Sequence, residues 1–512
     1  MRRRLLLCVA AVFLVLIGGC GEERQTEESG SQIVYGSRDY AWINPLRDEY
    51  GEIDQLLFDG LMLRDGAGKL VPGLAESYTY DPDTLTYVFH LREGVRWHDG
   101  RPLCAADVKF TIEAIQSPAT GSMNVSNFED VREITEIDDK TVRILLSAPN
   151  AAFLDYMTQP ILPAHILAGN DLMTTGFFHN PVGTGPYQLD SWEAGKEIVL
   201  VKNEDYYRGA PKIDRFVFRF LVDDVAEAEA FAKGTLDMAN LSAKNAAPFV
   251  DKDGYRYYDM NTADYRALLF NFSHPYWLRN RDLIPAIAYA IDRQTVVDHV
   301  LLGHGMPAYG PLQRSIYNNP NVEHYDYDPA KAQELLEAAG CTMGRNGYYM
   351  RGAEEVGFQL SVKNDKFDRI GIANAVATQL QAVGIHCTVE MPAQIDWDGQ
   401  MAYLIGWGRE LDPDMHTYKV FMTKQKDNDG FYSNSRVDAC LMAARRTSDP
   451  AERKRLYDLF QEELAKDPAF AFICYIDAIY VTKACVHGIT EDMLLGHRGI
   501  GIFWNVNEWT VD

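Results

Sequence analysis

Residues 404–416 read L-I-G-W-G-R-E-L-D-P-D-M-H. The apolar pair Leu404-Ile405 stops at Gly406, Trp407 follows, and then come three carboxylates, Glu410, Asp412 and Asp414. Pro413 lies between the last two, bars a helix from running through and restricts Asp412 to extended geometry. The stretch reads as a strand ending in a rigid acidic loop beside a large aromatic. Four chemistries suit such a loop: an acid/base pair, a metal site completed by His416, a clamp on a ligand, or a solvated turn. Working back, 387–391 and 358–362 read as strands, and 372–383 between them as a helix. Strand, helix, strand, strand is α/β logic. Working forward, Asp449-Pro450 opens a capped helix through 464, 469–482 is an apolar strand, and the chain closes on Phe503-Trp504.

The other end of the chain carries an address. Arg2-Arg3-Arg4 precede an apolar run over 5–17 and then Gly18-Gly19-Cys20. A basic start, a short apolar core and small residues before a cleavage point form a secretory signal. The run is shorter than the roughly 20 residues a bilayer span needs. Ile17-Gly18-Gly19-Cys20 resembles the bacterial lipobox, which implies that 1–19 is a lipoprotein signal peptide and Cys20 is lipidated. Residues 20–31 are rich in Glu, Ser and Gly, cannot bury a core, and read as a flexible tether. The body is therefore expected outside the cytoplasm, held at the membrane by its lipid. Disulfides are allowed there. Cys104, Cys341, Cys387, Cys440, Cys474 and Cys485 permit fifteen pairings, with buried free thiols as the alternative.

Between these ends the chain is punctuated for short strands. Ile33-Val34-Tyr35 is a strand whose end, with Tyr40 close behind, suits the wall of a cleft. Residues 52–62 have helical apolar spacing. Residues 84–92 alternate, with Leu85, Tyr87, Phe89 and Leu91 on one face. Asp99-Gly100 is a turn, Asp107 caps a helix over 108–115, and 131–146 divides into two strands at Asp138-Asp139-Lys140. The glycine- and proline-dense run 180–187 precedes strands at 187–192, 198–202 and 215–222; 281–302 and 328–340 are helical.

Composition excludes some classes. A net charge of −24 argues against nucleic acid. There is no nucleophile elbow, no H-E-x-x-H and no phosphate loop, and Gly183-x-Gly185 lacks the third glycine of a dinucleotide fingerprint. Glu410 with Asp412 remains an acid/base candidate for a secreted hydrolase, and His416 beside Asp412 and Asp414 a metal candidate.

Several blocks, in order, resemble the extracytoplasmic solute-binding proteins of ABC importers, family 5, the peptide- and nickel-binding group. They are Pro72-Gly73-Leu74-Ala75-Glu76-Ser77; Tyr87-x-Phe89-x-Leu91-Arg92-x-Gly94-Val95-x-Trp97-x-Asp99-Gly100; Asn180 to Tyr187; and Asn203-x-x-Tyr206-Tyr207-x-Gly209-x-Pro211. The tryptophan and Asp-Pro loop at 407–413 completes the series.

The resemblance implies an α/β, two-lobed periplasmic-binding-protein-like fold of type II, cluster C, with an extra subdomain inserted in the first lobe. Lobe I would comprise 32–71, 182–262 and 479–512; the insert 72–181; lobe II 263–478. It implies a monomer that captures di- or oligopeptides, or alternatively nickel or another small solute or chelate, and delivers them to an ABC permease and its ATPase. It implies neither enzymatic activity nor a cofactor. The ligand-binding residues would be Tyr40, Trp407, Glu410, Asp412, Asp414 and His416. In peptide-binding relatives an aspartate three residues after the tryptophan pairs with the ligand's α-ammonium, and Glu410 holds that position. Four residues separate Trp407 from Asp412 where those relatives have five, a spacing closer to the nickel-type subgroup. A surface interaction protein that no longer imports is the remaining rival.

Overall fold

Sixteen residues of continuous strand, Tyr255–Phe270, run antiparallel to Phe470–Lys483, and the whole architecture hangs on this pair. The computed structural model describes residues 30–47, 51–363, 369–408 and 412–512. Cys20, the tether as far as residue 29 and Glu410 lie outside the described residues, whereas Ser31, expected in the tether, is fastened to the body by its N–H on Asp214 Oδ2 at 2.8 Å. Phe470–Lys483 is largely apolar, as expected of a central strand, whereas the buried half of Tyr255–Phe270 also holds Thr262 and the ion-paired Asp264 and Arg266.

Around them the described residues assemble an 11-stranded sheet, ten strands in one path and Gly305–Pro307 paired with Phe470–Lys483 beside it. On one side Tyr255–Phe270 pairs with Ala402–Trp407, which adjoins the parallel strands Gly357–Ser361 and His386–Glu390. On the other, Phe470–Lys483 pairs with Met238–Leu241, followed by Gln32–Ser37, Arg215–Phe220, Glu197–Lys202 and Tyr187–Glu193. Three apolar clusters separate along this sheet among the described residues. One draws on residues from Tyr265 to Ile476; the second joins Ile33 through Met260 with Met415 and a late contribution from Ala478 to Trp509; a smaller third packs Val34, Val217 and Val481 against Phe231 and Phe249. This is the two-lobed α/β fold, and the long strands are its crossovers.

The register of the pair breaks between Asn261 and Tyr265. There a third passage joins. Leu495 lies parallel to Thr262, its N–H donating to Asn261 O at 2.9 Å and its carbonyl accepting from Ala263 N–H at 2.7 Å. The break and the added segment mark the joint between lobes.

The inserted subdomain carries its own four-stranded antiparallel sheet, ordered Ala75–Asp81, Thr86–Leu91, Thr141–Leu146, Val131–Asp138. Tyr87, Phe89 and Leu91 are buried as their alternation predicts. The strand begins at Thr86 because Leu85 is left-handed, with φ 55°. Asp107 is a correction in detail. The helix Ala105–Gln116 is capped at Cys104, and Asp107 is the third helical residue, its carboxylate accepting from Cys104 N–H at 2.9 Å. Residues 281–302 are likewise not one helix. Ile284–Tyr289 ends, and Asp292 caps a new helix, Arg293–His299. The helical spacing at 52–62 yields one turn, Asp54–Leu57.

Gly183 and Gly185 serve close approach. A Cβ on Gly183 would stand 1.7 Å from Leu57 O, and one on Gly185 2.5 Å from Leu56 O. His98 fastens this loop: its Nδ1 accepts from Gly183 N–H at 3.1 Å and its Nε2 donates to Gly185 O at 3.1 Å. Burial lowers the His98 pKa to about 4, outweighing the Gly185 carbonyl and Asp99, which raise it. Between pH 4 and 6.5 the unfolded chain therefore binds the proton that folded His98 refuses, and stability falls as pH drops through that window. His98→Gln keeps a donor and an acceptor but not the titration. Its Tm is expected to change less than wild type between pH 6.5 and 4; parallel profiles would show that His98 does not titrate there.

Candidate functional site

The strand Ala402–Trp407 sets Trp407 opposite Tyr265 and Gly406 opposite Arg266. Side-chain bulk is excluded at Gly406, where a Cβ would come within 2.5 Å of the Arg266 guanidinium and 2.6 Å of that of Arg369. Trp407 is half-buried against the second-lobe core. Helix Asp414–Phe421 starts immediately after Pro413, so Asp414 and His416 sit in its first turns, not in an extended loop.

The carboxylates are already engaged. Asp412 takes both terminal nitrogens of Arg453, with Nη2 to Oδ1 at 2.6 Å, and accepts Asp414 N–H at 2.9 Å. Asp414 is 1 % exposed. Arg445 grips it with Nε to Oδ2 at 3.0 Å and Nη2 to Oδ1 at 2.6 Å, and the Tyr156 hydroxyl donates to it. Burial alone would raise the Asp414 carboxyl; Arg445 overrides that and holds it below the usual carboxylate range. Arg445 also reaches Glu129 at 2.7 Å, so the pair ties the second lobe to the inserted subdomain. His416 is buried with Nε2 2.9 Å from the Tyr265 hydroxyl. Tyr40 is half-buried and edge-on to Phe218, ring centres 6.2 Å apart, within the first lobe.

A cavity of about 510 Å³ lies between elements of the two lobes. Asp412 and His416 line it, whereas Tyr40, Trp407 and Asp414 do not. The charged side chains that sequence reasoning missed are Arg314, Arg64, Asp155 and Asp492. Arg314 is pinned at the joint: Nη1 donates to Thr262 O at 2.8 Å and Ile476 O at 3.3 Å, one on each crossover strand. Its Nη2 lies 2.7 Å from Asp477 Oδ1, and the guanidinium covers the Tyr475 ring at 5.4 Å. Burial raises the Asp477 carboxyl more than Arg314 lowers it. Arg64 and Asp155 form a second ion pair in the lining of the same cavity. Arg314 stands in the motif-free run P-L-Q-R-S-I-Y, so no local pattern marks it. An adjoining cavity of about 220 Å³ shares Arg64, Gly68, Met493 and Leu494 with the first.

Ready-made Arg–Asp pairs around a cavity suit a ligand carrying both charges. Among the described residues no group of three or more His, Cys, Asp or Glu could hold a metal ion, and no helix is long and apolar enough to cross a membrane. All six of the cysteines in question are free thiols, so none of the fifteen pairings is formed.

Comparison with known proteins gives three results. The family description "Bacterial extracellular solute-binding proteins, family 5 Middle" matches residues 69–429. Among curated proteins, Protein XP55 of Streptomyces lividans is 32 % identical over 487 residues, covering 93 % of this chain and 89 % of its own length. Glutathione-binding protein GsiB of Escherichia coli K12 is 30 % identical over 435 residues, covering 79 % and 80 %. Among solved structures, NikZ from Campylobacter jejuni in complex with Ni(L-His) superposes with a TM-score of 0.89 at 33 % identity, over 94 % of this chain and 99 % of that one. The oligopeptide-binding protein AppA from Bacillus subtilis, in complex with a nonapeptide, shares the fold at a TM-score of 0.85 and 23 % identity, over the same shares.

Proposed function

This chain belongs to family 5 of the bacterial extracellular solute-binding proteins, the binding components of ABC importers, and we propose that its cargo is a small peptide held by its carboxylate at Arg314. The observation that carries this is Arg314 itself, a guanidinium fixed to both crossover strands and lining a cavity of about 510 Å³, a size ordinary for small-ligand sites. The name of one relative supports the carboxylate: glutathione, for GsiB, carries free carboxylates. A ligand spanning the joint would hold the lobes together, and the loaded form would dock on a permease whose ATPase powers release. Binding and delivery are the whole task in this reading; no catalytic step is assigned. We also propose the lobe boundaries given by the sequence, a monomer, and anchoring through lipidated Cys20.

Calorimetry with di- and tripeptides, free and C-amidated, tests the cargo. Free peptides are expected to bind and amidated ones to bind more weakly; no heat from any peptide sinks the reading. A metal–amino-acid chelate is the second reading, favoured by His416 in the cavity wall. A chelate brings most of its own ligands, so one protein histidine would suffice. Binding of nickel with L-histidine, abolished by a chelator, would select it. Glu410, outside the described residues, keeps its proposed role as ammonium clamp. Glu410→Gln is expected to weaken free-amino peptides about tenfold and N-acetylated ones little; equal losses would remove Glu410 from the clamp.

A further inference from the structure

The cavity of about 220 Å³ beside the main one has apolar walls, among them Phe58, Met415 and Trp504, but a polar end. Asp59 lines it and is 4 % exposed. Its Oδ2 has no hydrogen-bond partner, and its Oδ1 meets the Tyr206 hydroxyl at a long 3.4 Å. Arg208, half-buried, lines the same cavity. It pulls the Asp59 carboxyl down, yet no ion pair within 4.0 Å joins the two. Burial wins, and the carboxyl is pushed up to about 7. A buried carboxyl and a guanidinium thus face one small space without meeting. An unpaired buried polar group is expensive, so the space favours an occupant that serves both.

We propose that this compartment takes an α-amino-acid head group, its ammonium on Asp59 and its carboxylate on Arg208, so that the favoured cargo is a peptide joined through a side-chain carboxyl, of the γ-glutamyl kind. An ordinary peptide offers an ammonium at one end and a carboxylate at the other, never both on one carbon. A γ-linked residue keeps both on its α-carbon and still leaves a distant carboxylate for Arg314. The two cavities share Arg64, Gly68, Met493 and Leu494, which gives one ligand access to both. This inference rests on the peptide reading above.

Calorimetry with γ-Glu-Ala-Gly and its α-linked isomer tests it. Wild type is expected to bind the γ isomer at least tenfold more tightly. Asp59→Asn and Arg208→Gln should each erase that preference and leave the α isomer's affinity unchanged, whereas Arg314→Gln should weaken both isomers alike. Arg208 is half-buried, so Arg208→Gln keeps the test sound if Asp59→Asn folds poorly. Equal affinity for the isomers in wild type, or a preference surviving Arg208→Gln, overturns the head-group site and leaves the peptide reading standing. Failure of both isomers and of all other peptides to bind removes both.

Discussion

Arg314→Gln is expected to weaken a free-carboxylate peptide by roughly 2–5 kcal/mol, about 30- to 5,000-fold, and a C-amidated one by less than about threefold. The size follows from how the guanidinium is held. Hydrogen bonds to Thr262 O and Ile476 O and an ion pair with Asp477 fix it before any ligand arrives, so little ordering is left for binding. The single variant also strands Asp477, whose carboxyl burial already raises. Arg314→Gln combined with Asp477→Asn separates the two effects, because it removes the guanidinium without leaving an unpaired acid. If free and amidated peptides lose equally in both variants, Arg314 holds the joint and not the ligand.

Arg445→Met is expected to destabilise the fold by about 3–5 kcal/mol in urea denaturation, with Arg445→Met plus Asp414→Asn recovering a good part. Arg445 and Asp414 are both sealed from solvent, at 0 % and 1 % side-chain exposure. Removing one partner leaves a buried charge alone, which costs far more than the intact pair contributes. The pH dependence should change sign as well. In wild type the folded Asp414 pKa lies below its unfolded value of 3.8, so its contribution is full above that value and is lost in acid. Without Arg445, the Tyr156 hydroxyl and Arg453 still lower the carboxyl, but burial, the largest influence, is expected to prevail, so that the folded pKa rises above the unfolded one and acid becomes relatively stabilising at this residue. A loss under about 1 kcal/mol would mean that water or a shifted side chain replaces the guanidinium.

The fold was legible where local chemistry decides it. Period-two spacing placed Tyr87, Phe89 and Leu91 inward, and Asp328-Pro329 and Asp449-Pro450 marked helix starts that the structure has at Pro329 and Pro450. What depends on distant partners was not legible. The 404–416 stretch announces three carboxylates, but nothing in it says that Asp412 will meet Arg453 and Asp414 will meet Arg445. Those arginines sit on later helices, and only folding shows that two of the acids are neutralised from within. Arg314 has the opposite history. It lies in an unremarked loop and gains meaning from two backbone carbonyls brought together by the crossovers. Helix 281–302 failed at Asp292 because a capping residue outcompeted apolar periodicity.

The late passage of Leu495 across Thr262 bears on how the chain is made. The core of the first lobe begins with Ile33 but is completed by Val486, Leu495, Phe503 and Trp509. The second-lobe core lies wholly between Tyr265 and Ile476 and needs nothing from either end. During synthesis the middle of the protein can therefore settle first, while the opening strand waits for some of the last residues to be added. Contacts of such sequence separation form slowly. A chain whose first lobe cannot close until residues 486–509 have been made stays threadable for long, which suits a member of an extracellular family.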